Sequence, residues 1–205
     1  MDAKRVLKEI SDYYFTAIFV FFNIIIFLIC TFTGDMLYNI GAFDVWSVTT
    51  DKEYYRLLSA IFLHYDINHL CSNMILLFFL GKIVEKYIGH IAYFIVYIVS
   101  GVGGNIISGL WELKIGHYSL SAGASGAVFG LTGALFVLVL FHKGKLEQIK
   151  WQGVVLMIFL SVYNGFVVDN INNAAHIGGL IIGIVVSVIV LFTEKNKSER
   201  KAFSD

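Results

Sequence analysis

Charged residues are scarce in this sequence. Only 15% of its 205 residues are Asp, Glu, Lys or Arg, whereas 58% are hydrophobic. A chain of this length cannot bury so much apolar surface inside a water-soluble globule, which indicates a protein of the lipid bilayer. The 15 basic and 15 acidic side chains balance, so no excess of positive charge points to nucleic acid.

Signatures of metal and redox chemistry are also missing. The two cysteines, Cys30 and Cys71, lie far apart and without metal-ligand spacing, so we expect neither a disulfide framework nor a zinc knuckle. A membrane zinc protease needs a His-Glu-x-x-His string, and an intramembrane aspartyl protease needs Gly-x-Gly-Asp. Neither string occurs. We therefore expect no metal and no cofactor.

Long apolar runs are what the sequence has in abundance. A helix needs about 20 residues to cross about 30 Å of hydrocarbon. Six runs meet this requirement, at residues 13–33, 67–87, 91–110, 121–141, 151–168 and 172–192. The first run is too long for a signal peptide and is followed by no Ala-x-Ala cleavage pattern, so we expect it to be retained. The predicted fold class is all-α, a polytopic bundle of six transmembrane helices.

The basic residues predict the orientation of this bundle. Twelve of the 15 Lys and Arg residues lie in the two tails, at the C-terminal end of the second span and in the loop after the fourth span. Because Lys and Arg collect in cytoplasmic loops, both termini are predicted to be cytoplasmic, with short tails of about residues 1–12 and 193–205. No gap between spans could hold a second soluble domain, so residues 1–205 are predicted to form a single membrane domain.

Strongly polar residues occur at one predicted depth in three of the spans. With this orientation His69 and Asn73, Ser125, and His176 all lie near the outer ends of spans two, four and six. Polar groups inside a membrane are costly unless they face a partner or water, which makes such a cluster a candidate functional site. Each residue alone also has a structural interpretation. The glycines near Ser125, and Gly179 with Gly183, are typical of faces where helices pack closely.

Taken together, the polar residues favour chemistry over packing. If the two glycine-rich faces pack against each other, Ser125 and His176 come within reach as nucleophile and general base. His69, Asn73 and the backbone N–H of Ser125 would then supply hydrogen bonds to an oxyanion. Gly123 and Gly126 would let a substrate backbone approach the serine closely.

The order and spacing of these motifs resemble the rhomboid family of intramembrane serine proteases, over about residues 15–190. The Gly-x-Ser-Gly motif is GASG around Ser125, the His-x-x-x-Asn motif runs from His69 to Asn73, and AAHIGGLIIG contains His176 and its GxxxG face. The absence of proline and of further domains makes the chain similar to the minimal six-span form found in bacteria.

The resemblance implies a Ser125–His176 dyad without an acidic member, and Asp169 is assigned no catalytic role. It implies cleavage of single-span or polytopic membrane-protein substrates in or near a transmembrane segment. The enzyme would lie in the cell membrane with its active site toward the extracytoplasmic side. Further positions that match the family are an aromatic-Arg pair in the first outer loop, a structural carboxylate, an aromatic ring that stacks on the catalytic imidazole, and a supporting histidine: Tyr55, Arg56, Glu85, Phe129 and His64.

Two other functions stay open at this point. A small transporter would also place His and Asn inside the membrane, although no convincing internal repeat is found. A catalytically inactive rhomboid-like binder of membrane proteins is the second alternative, and the intact serine and histidine argue against it.

For the protease, we expect activity to rise with pH through about 6 to 7, as a histidine base becomes neutral. Span five, with few polar or small residues between Trp151 and Leu160, is our candidate for the helix that moves to admit substrate.

Overall fold

A computed structural model describes residues 12–168 and 171–202 of the chain. Asp169 and the outer parts of both predicted tails, including Lys4, Arg5 and Lys8, lie outside the described residues. The fold is mostly helical. Its long helices are α1 (Tyr14–Thr33), α5 (Ile67–Ile88), α6 (His90–Ile115), α7 (Ser125–Phe141), α8 (Trp151–Val167) and α9 (Asn173–Ala202).

Shorter elements fill the connections. Between α1 and α5 lie α2 (Met36–Gly41), α3 (Val45–Thr49), α4 (Arg56–Ser59) and a 3-10 turn (Ala60–Phe62). Between α7 and α8 lies a small hairpin of β1 (Lys145–Leu146) and β2 (Ile149–Lys150), in which Lys145 pairs with Lys150 and Leu146 with Ile149. Both lysines are exposed and Leu146 is buried, so one face of the hairpin is basic and the other packs on the core.

Among the described residues, four helices are long and apolar enough to cross a membrane: Tyr14–Thr33, Ile67–Ile88, His90–Ile115 and the Asn173–Thr193 part of α9. The other two predicted spans correspond to α7 and α8, apolar helices of 17 residues each, which lie at the short end of the membrane-spanning range. The multi-pass membrane character is thus confirmed, and the count of six spans stays a prediction.

Three predicted boundaries differ from the helices by several residues, and one of them is the end of the sixth span, expected at residue 192, whereas α9 continues to Ala202. The fourth span was expected from residue 121, but α7 begins at Ser125, because Ser121 forms an isolated β-bridge with Phe43 instead. The third span was expected to end at residue 110, whereas α6 continues to Ile115 and closes at Gly116, which has a left-handed φ of 69°. A left-handed glycine commonly ends a helix, so the end of α6 is set by Gly116 and not by the end of the apolar run at residue 110.

The core of the bundle is built around α7, which is buried on nearly all sides, as at Leu131, Ala134 and Leu138. A helix that is apolar all round is expected at such a central position. Helix α9 packs against α7 and α6 through small residues. A Cβ added at Gly179 would overlap the carbonyl oxygen of Gly126, and one at Gly183 would overlap that of Gly130. The GxxxG face of α9 therefore lies directly on the backbone of α7.

The first loop is fixed by the buried guanidinium group of Arg56. This group donates to the carbonyl oxygens of Ala42 and Asn39, each at 2.9 Å, and pairs with the Glu53 carboxylate. The adjacent Tyr55 is exposed, and the guanidinium carbon of Arg56 lies 5.9 Å from the centre of its ring. One side chain thus ties α2 and the segment before α3 to α4, which gives the loop a defined shape above the bundle.

Glu85 joins the opposite ends of α1 and α5. Its carboxylate is 1% exposed and accepts hydrogen bonds from the backbone N–H groups of Phe15 and Thr16 and from the Thr16 hydroxyl, at 2.7 to 3.0 Å. The Nδ1 atom of His90 lies 2.7 Å from the same carboxylate. Since the first N–H groups of a helix lack partners within it, Glu85 completes the start of α1 and holds it to the core.

Candidate active site

The hydroxyl of Ser125 and the ring of His176 meet between α7 and α9. Ser125 is the first residue of α7, and His176 lies in the first turn of α9. The Ser125 Oγ is 2.8 Å from His176 Nε2, a distance suited to proton transfer. Because glycines line the contact between the two helices, their backbones come close enough for these two side chains to bond.

The His176 ring is held by an aromatic neighbour. The Phe129 ring is stacked on it with centroids 4.3 Å apart and planes 15° from parallel. Phe129 lies one helical turn after Ser125 on α7, so the same helix supplies the nucleophile and the support for the base. The buried Nδ1 atom of His176 has no hydrogen-bond partner among the described residues, so within this part of the chain no carboxylate extends the pair.

The loop before Ser125 is anchored at three points. Ser121 and Phe43 exchange two backbone hydrogen bonds of 2.8 and 2.9 Å, and the N–H of Gly123 donates to the Ala60 carbonyl at 2.9 Å. The N–H of Ala124 donates to His64 Nε2 at 3.4 Å. These bonds fix the approach to α7, so the position of Ser125 depends on the first loop as well as on its own helix.

The neutral imidazole of His64 accepts a hydrogen bond from the loop before Ser125. The residue is fully buried, and its backbone carbonyl accepts a hydrogen bond from the Tyr38 hydroxyl. Burial and the nearby His69 lower the pKa of His64 from 6.5 to about 3. Its imidazole therefore stays neutral at ordinary pH and can accept the Ala124 N–H. This places His64 beside the loop that carries the serine, without contact to the Ser125 hydroxyl.

His69 and Asn73 lie on one face of α5, and the ring of His69 lies next to Gly123. The backbone of Gly123 has a φ of 145°, and a Cβ added there would lie 2.7 Å from His69 Cε1 and 3.7 Å from Ser125 Oγ. The Asn73 amide is buried and donates to the His69 carbonyl at 2.9 Å. An amide nitrogen carries two hydrogens, so this bond leaves Asn73 a second donor. The imidazole of His69 and the serine hydroxyl thus flank the same backbone position.

Gly126 occupies a different environment from Gly123. A Cβ added at Gly126 would make ordinary contact, at 3.5 Å, with the Ala175 carbonyl oxygen of α9. The Gly126 position therefore faces the packing between helices, while Gly123 faces His69 beside the serine.

No group of three or more His, Cys, Asp or Glu within the described ranges is arranged to hold a metal ion.

Sequence reasoning missed one contributor to this arrangement, Asn172. From the sequence, Asn172 was used only as the start of the sixth span. Its side-chain amide forms hydrogen bonds with Ser108 of α6, with Ser121 in the loop before Ser125 (the serine loop) and with the first turn of α9. An Asn immediately before an apolar periodic run is a helix N-cap signal. That signal predicts the bond to the helix, but not the bonds to Ser108 and Ser121, which depend on tertiary structure.

A family model described as Rhomboid domain matches residues 51–192. Rhomboid protease GluP of Bacillus subtilis is 34% identical over 174 residues, which cover 82% of this chain and 33% of GluP. RHOMBOID-like protein 4 of Arabidopsis thaliana is 36% identical over 160 residues, covering 76% of this chain and 39% of that protein. YdcA of Bacillus subtilis, which carries rhomboid protease in its name, is 32% identical over 171 residues that cover 83% of this chain and 77% of YdcA. The chain thus spans about a third of GluP, about two fifths of the second relative and about three quarters of the third.

Proposed function

The chain belongs to the rhomboid family, and from that premise we propose that it is an intramembrane serine endopeptidase that uses a Ser125–His176 dyad. The observation that carries the proposal is the 2.8 Å contact between Ser125 Oγ and His176 Nε2. A serine hydroxyl is a weak nucleophile until a neighbouring base takes its proton, and a neutral imidazole is suited to that task. The relatives named as proteases support the same reaction class.

In the proposed reaction, Ser125 Oγ attacks the carbonyl carbon of the scissile peptide bond while His176 Nε2 takes the hydroxyl proton. The oxyanion that forms would accept hydrogen bonds from His69, the second Asn73 donor and the Ser125 backbone N–H. Collapse of this intermediate breaks the C–N bond, and the departing amine takes the proton from His176. Water then attacks the acyl-enzyme with His176 again as base, which releases the acid and restores the serine.

The stacked Phe129 ring and the three anchors of the serine loop support this mechanism by restricting both partners before substrate binds. Positioned catalytic groups lower the barrier because the cost of orienting them has already been met during folding. No carboxylate is needed to orient the base in this scheme, because Phe129 limits the rotation of the imidazole.

We place the enzyme in the cell membrane with six spans, both termini in the cytoplasm and the active site toward the outside. The distribution of Lys and Arg supports this orientation. The substrates would be single-span or polytopic membrane proteins, cleaved in or near a transmembrane segment. An apolar α8, in which Val154 and Gly165 are the buried residues, is consistent with a substrate that arrives from the lipid.

The test is cleavage of a single-span model substrate by detergent-solubilised wild-type protein, Ser125→Ala and His176→Ala, prepared in parallel. We expect both substitutions to lower kcat by at least about 1,000-fold, as removal of a catalytic serine or its base does in other serine proteases. Equal cleavage by all three proteins would indicate a contaminating protease and refute the dyad. A stable complex with substrate but no cleavage by the wild type would favour the binder, and solute flux without cleavage would favour the transporter.

A further inference from the structure

Asn172 joins three parts of the active-site region. Its Oδ1 accepts the Ala175 N–H at 3.0 Å, and its Nδ2 donates to Ser108 Oγ at 2.7 Å and to Ser121 Oγ at 2.8 Å. These partners lie on α9, on α6 and in the loop that leads to Ser125. One half-buried amide therefore connects the helix of the base to the loop of the nucleophile.

The first of these bonds sets where α9 begins. Asn172 immediately precedes the helix, and its side chain accepts the N–H of the third helical residue, which is the contact of an N-cap. Its own carbonyl accepts the N–H of His176 at 3.1 Å. The backbone of the base is thus bonded directly to Asn172, so a shift of this residue shifts the turn that carries the imidazole.

The other two bonds fix Asn172 relative to the rest of the site. Ser108 is 1% exposed and belongs to α6, which passes close to the same turn of α9, since a Cβ at Gly104 would lie 2.7 Å from the Ala175 carbonyl. Ser121 is the residue bridged to Phe43, four positions before Ser125. Through these partners, movement of the serine loop and movement of the base helix are coupled.

We propose that Asn172 is a positioning residue that holds His176 in register with Ser125. It does not touch the reacting atoms and acts through the first turn of α9. This inference rests on the proposed protease function. The hydrogen bonds of Asn172 hold the start of α9 at the outer end of the α7–α9 contact. The GxxxG packing of Gly179 and Gly183 lies further along the same helix.

The test compares substitutions at Asn172 that remove the hydrogen bonds with one that retains them. Asn172→Ala removes the side-chain hydrogen bonds to all three partners. We expect kcat to fall by at least about tenfold with KM changed by less than about twofold, because misplacement of a catalytic group affects the chemical step. Asn172→Asp keeps an acceptor for the Ala175 N–H, and the two serine hydroxyls can rotate to donate to it. We expect this variant to recover most of the lost kcat.

Asn105 offers a matched control on α6, one turn before Ser108. Its buried amide donates to the Leu57 carbonyl at 3.0 Å and so ties α6 to the first loop, with no bond to α9. Asn105→Ala also removes a buried amide bond, and we expect it to lower the melting temperature while kcat stays within about twofold of wild type. Ser108→Ala, a milder change than Asn172→Ala, should lower kcat in the wild type and have no further effect in the Asn172→Ala background.

The outcomes separate this inference from the function on which it rests. If wild-type protein neither cleaves substrate nor reacts at Ser125 with a fluorophosphonate probe, the proposed function fails and the positioning role falls with it. If wild type is active and Asn172→Ala matches it, the positioning role alone is refuted. Equal losses of kcat in Asn172→Ala and Asn105→Ala, or no recovery in Asn172→Asp, would show a general structural effect and would also refute it.

Discussion

Gly123 occupies a backbone conformation and a space that together exclude any side chain. Its φ is 145°, and an added Cβ would lie 2.7 Å from the His69 ring. We predict that Gly123→Ala lowers kcat by about 100-fold or more, because it both strains the backbone and displaces a proposed oxyanion donor. Steady-state kinetics on the purified variant measure this effect.

Gly116 provides the control for backbone strain alone. It also has a positive φ, of 69°, but an added Cβ would meet nothing within 4 Å. We expect Gly116→Ala to cost about 1 kcal/mol of stability, the usual penalty for a left-handed alanine, and to leave kcat unchanged. Similar kinetics for the two variants would contradict the proposed role of the Gly123–His69 contact.

The pH profile should report the protonation of one histidine. A base must be neutral, so activity is expected to fall on acidification as the base gains its proton, which an imidazole in water does at about pH 6.5 and a buried one at lower pH. His64 cannot produce this change, since its pKa is lowered to about 3 and the residue stays mostly neutral throughout. The measurement is kcat/KM from pH 3.5 to 9, with the folded state checked at each pH. A flat profile over this whole range would contradict His176 as the base.

The depressed pKa of His64 has a separate consequence for stability. In the unfolded chain His64 has its ordinary pKa of 6.5 and binds a proton more readily than in the folded protein, where the value is about 3. The stability that depends on neutral His64 is thus full above pH 6.5 and decreases as pH falls toward 3. His64→Gln should show a smaller loss of melting temperature between pH 7 and 5 than wild type. Equal losses would refute this assignment.

Individual residues of the candidate site could be named from the sequence, and their catalytic roles stay predictions. The glycine-rich faces around Ser125 and His176 predicted that the two side chains come together, and the structure brings them to 2.8 Å. Phe129, known only through the family resemblance, lies stacked on His176. The loop anchors at Phe43 and Ala60 could not be predicted, because backbone bonds between distant loops leave no pattern in a sequence.

At the scale of helices, the contact between α7 and α9 depends on two glycines that lie against main-chain carbonyl groups. A methyl group at Gly179 would overlap the Gly126 carbonyl, and neither backbone can move aside without displacing its helix. We predict that Gly179→Ala separates the helices, lowers the melting temperature by several degrees and abolishes most activity. Thermal unfolding in detergent and substrate cleavage test both parts.

The matched substitution for this prediction is Gly153→Ala on α8, where an added Cβ meets no atom within 4 Å. Because alanine is a better helix former than glycine by about 1 kcal/mol, this variant should be as stable as wild type or more so. Equal destabilisation by the two substitutions would show that loss of glycine, and not the helix contact, is responsible.

Helix positions were predicted well and helix ends less so. Apolar runs located all six long helices, because bilayer length and hydrophobicity are coded in composition. The start of α7 was placed four residues early, at Ser121, since the small apolar residues of the loop continue the apolar run. Only the pairing with Phe43, a contact across the fold, identifies these residues as loop.

For the whole molecule, the predicted orientation places the β1–β2 hairpin in the cytoplasm and the loop after α6 outside. We would introduce Lys145→Cys or Tyr118→Cys, both at exposed positions, into protein carrying Cys30→Ala and Cys71→Ala. A membrane-impermeant maleimide should label position 118 in intact cells, and position 145 only after the membrane is opened. The reverse pattern would show that the orientation is opposite to the predicted one. Labelling of both sites in intact cells would contradict the prediction that α7 crosses the membrane between them.

The contact of Gly179 and Gly183 with the backbone of α7 also bears on how such a protein can change over time. As long as Gly179 and Gly183 are retained, main-chain atoms set the spacing of the two helices that carry Ser125 and His176. Side chains elsewhere around the candidate site can then be exchanged without altering that spacing. Under the proposed function, substrate preference would then be free to diverge among descendants of one gene while the Ser125–His176 contact is inherited intact.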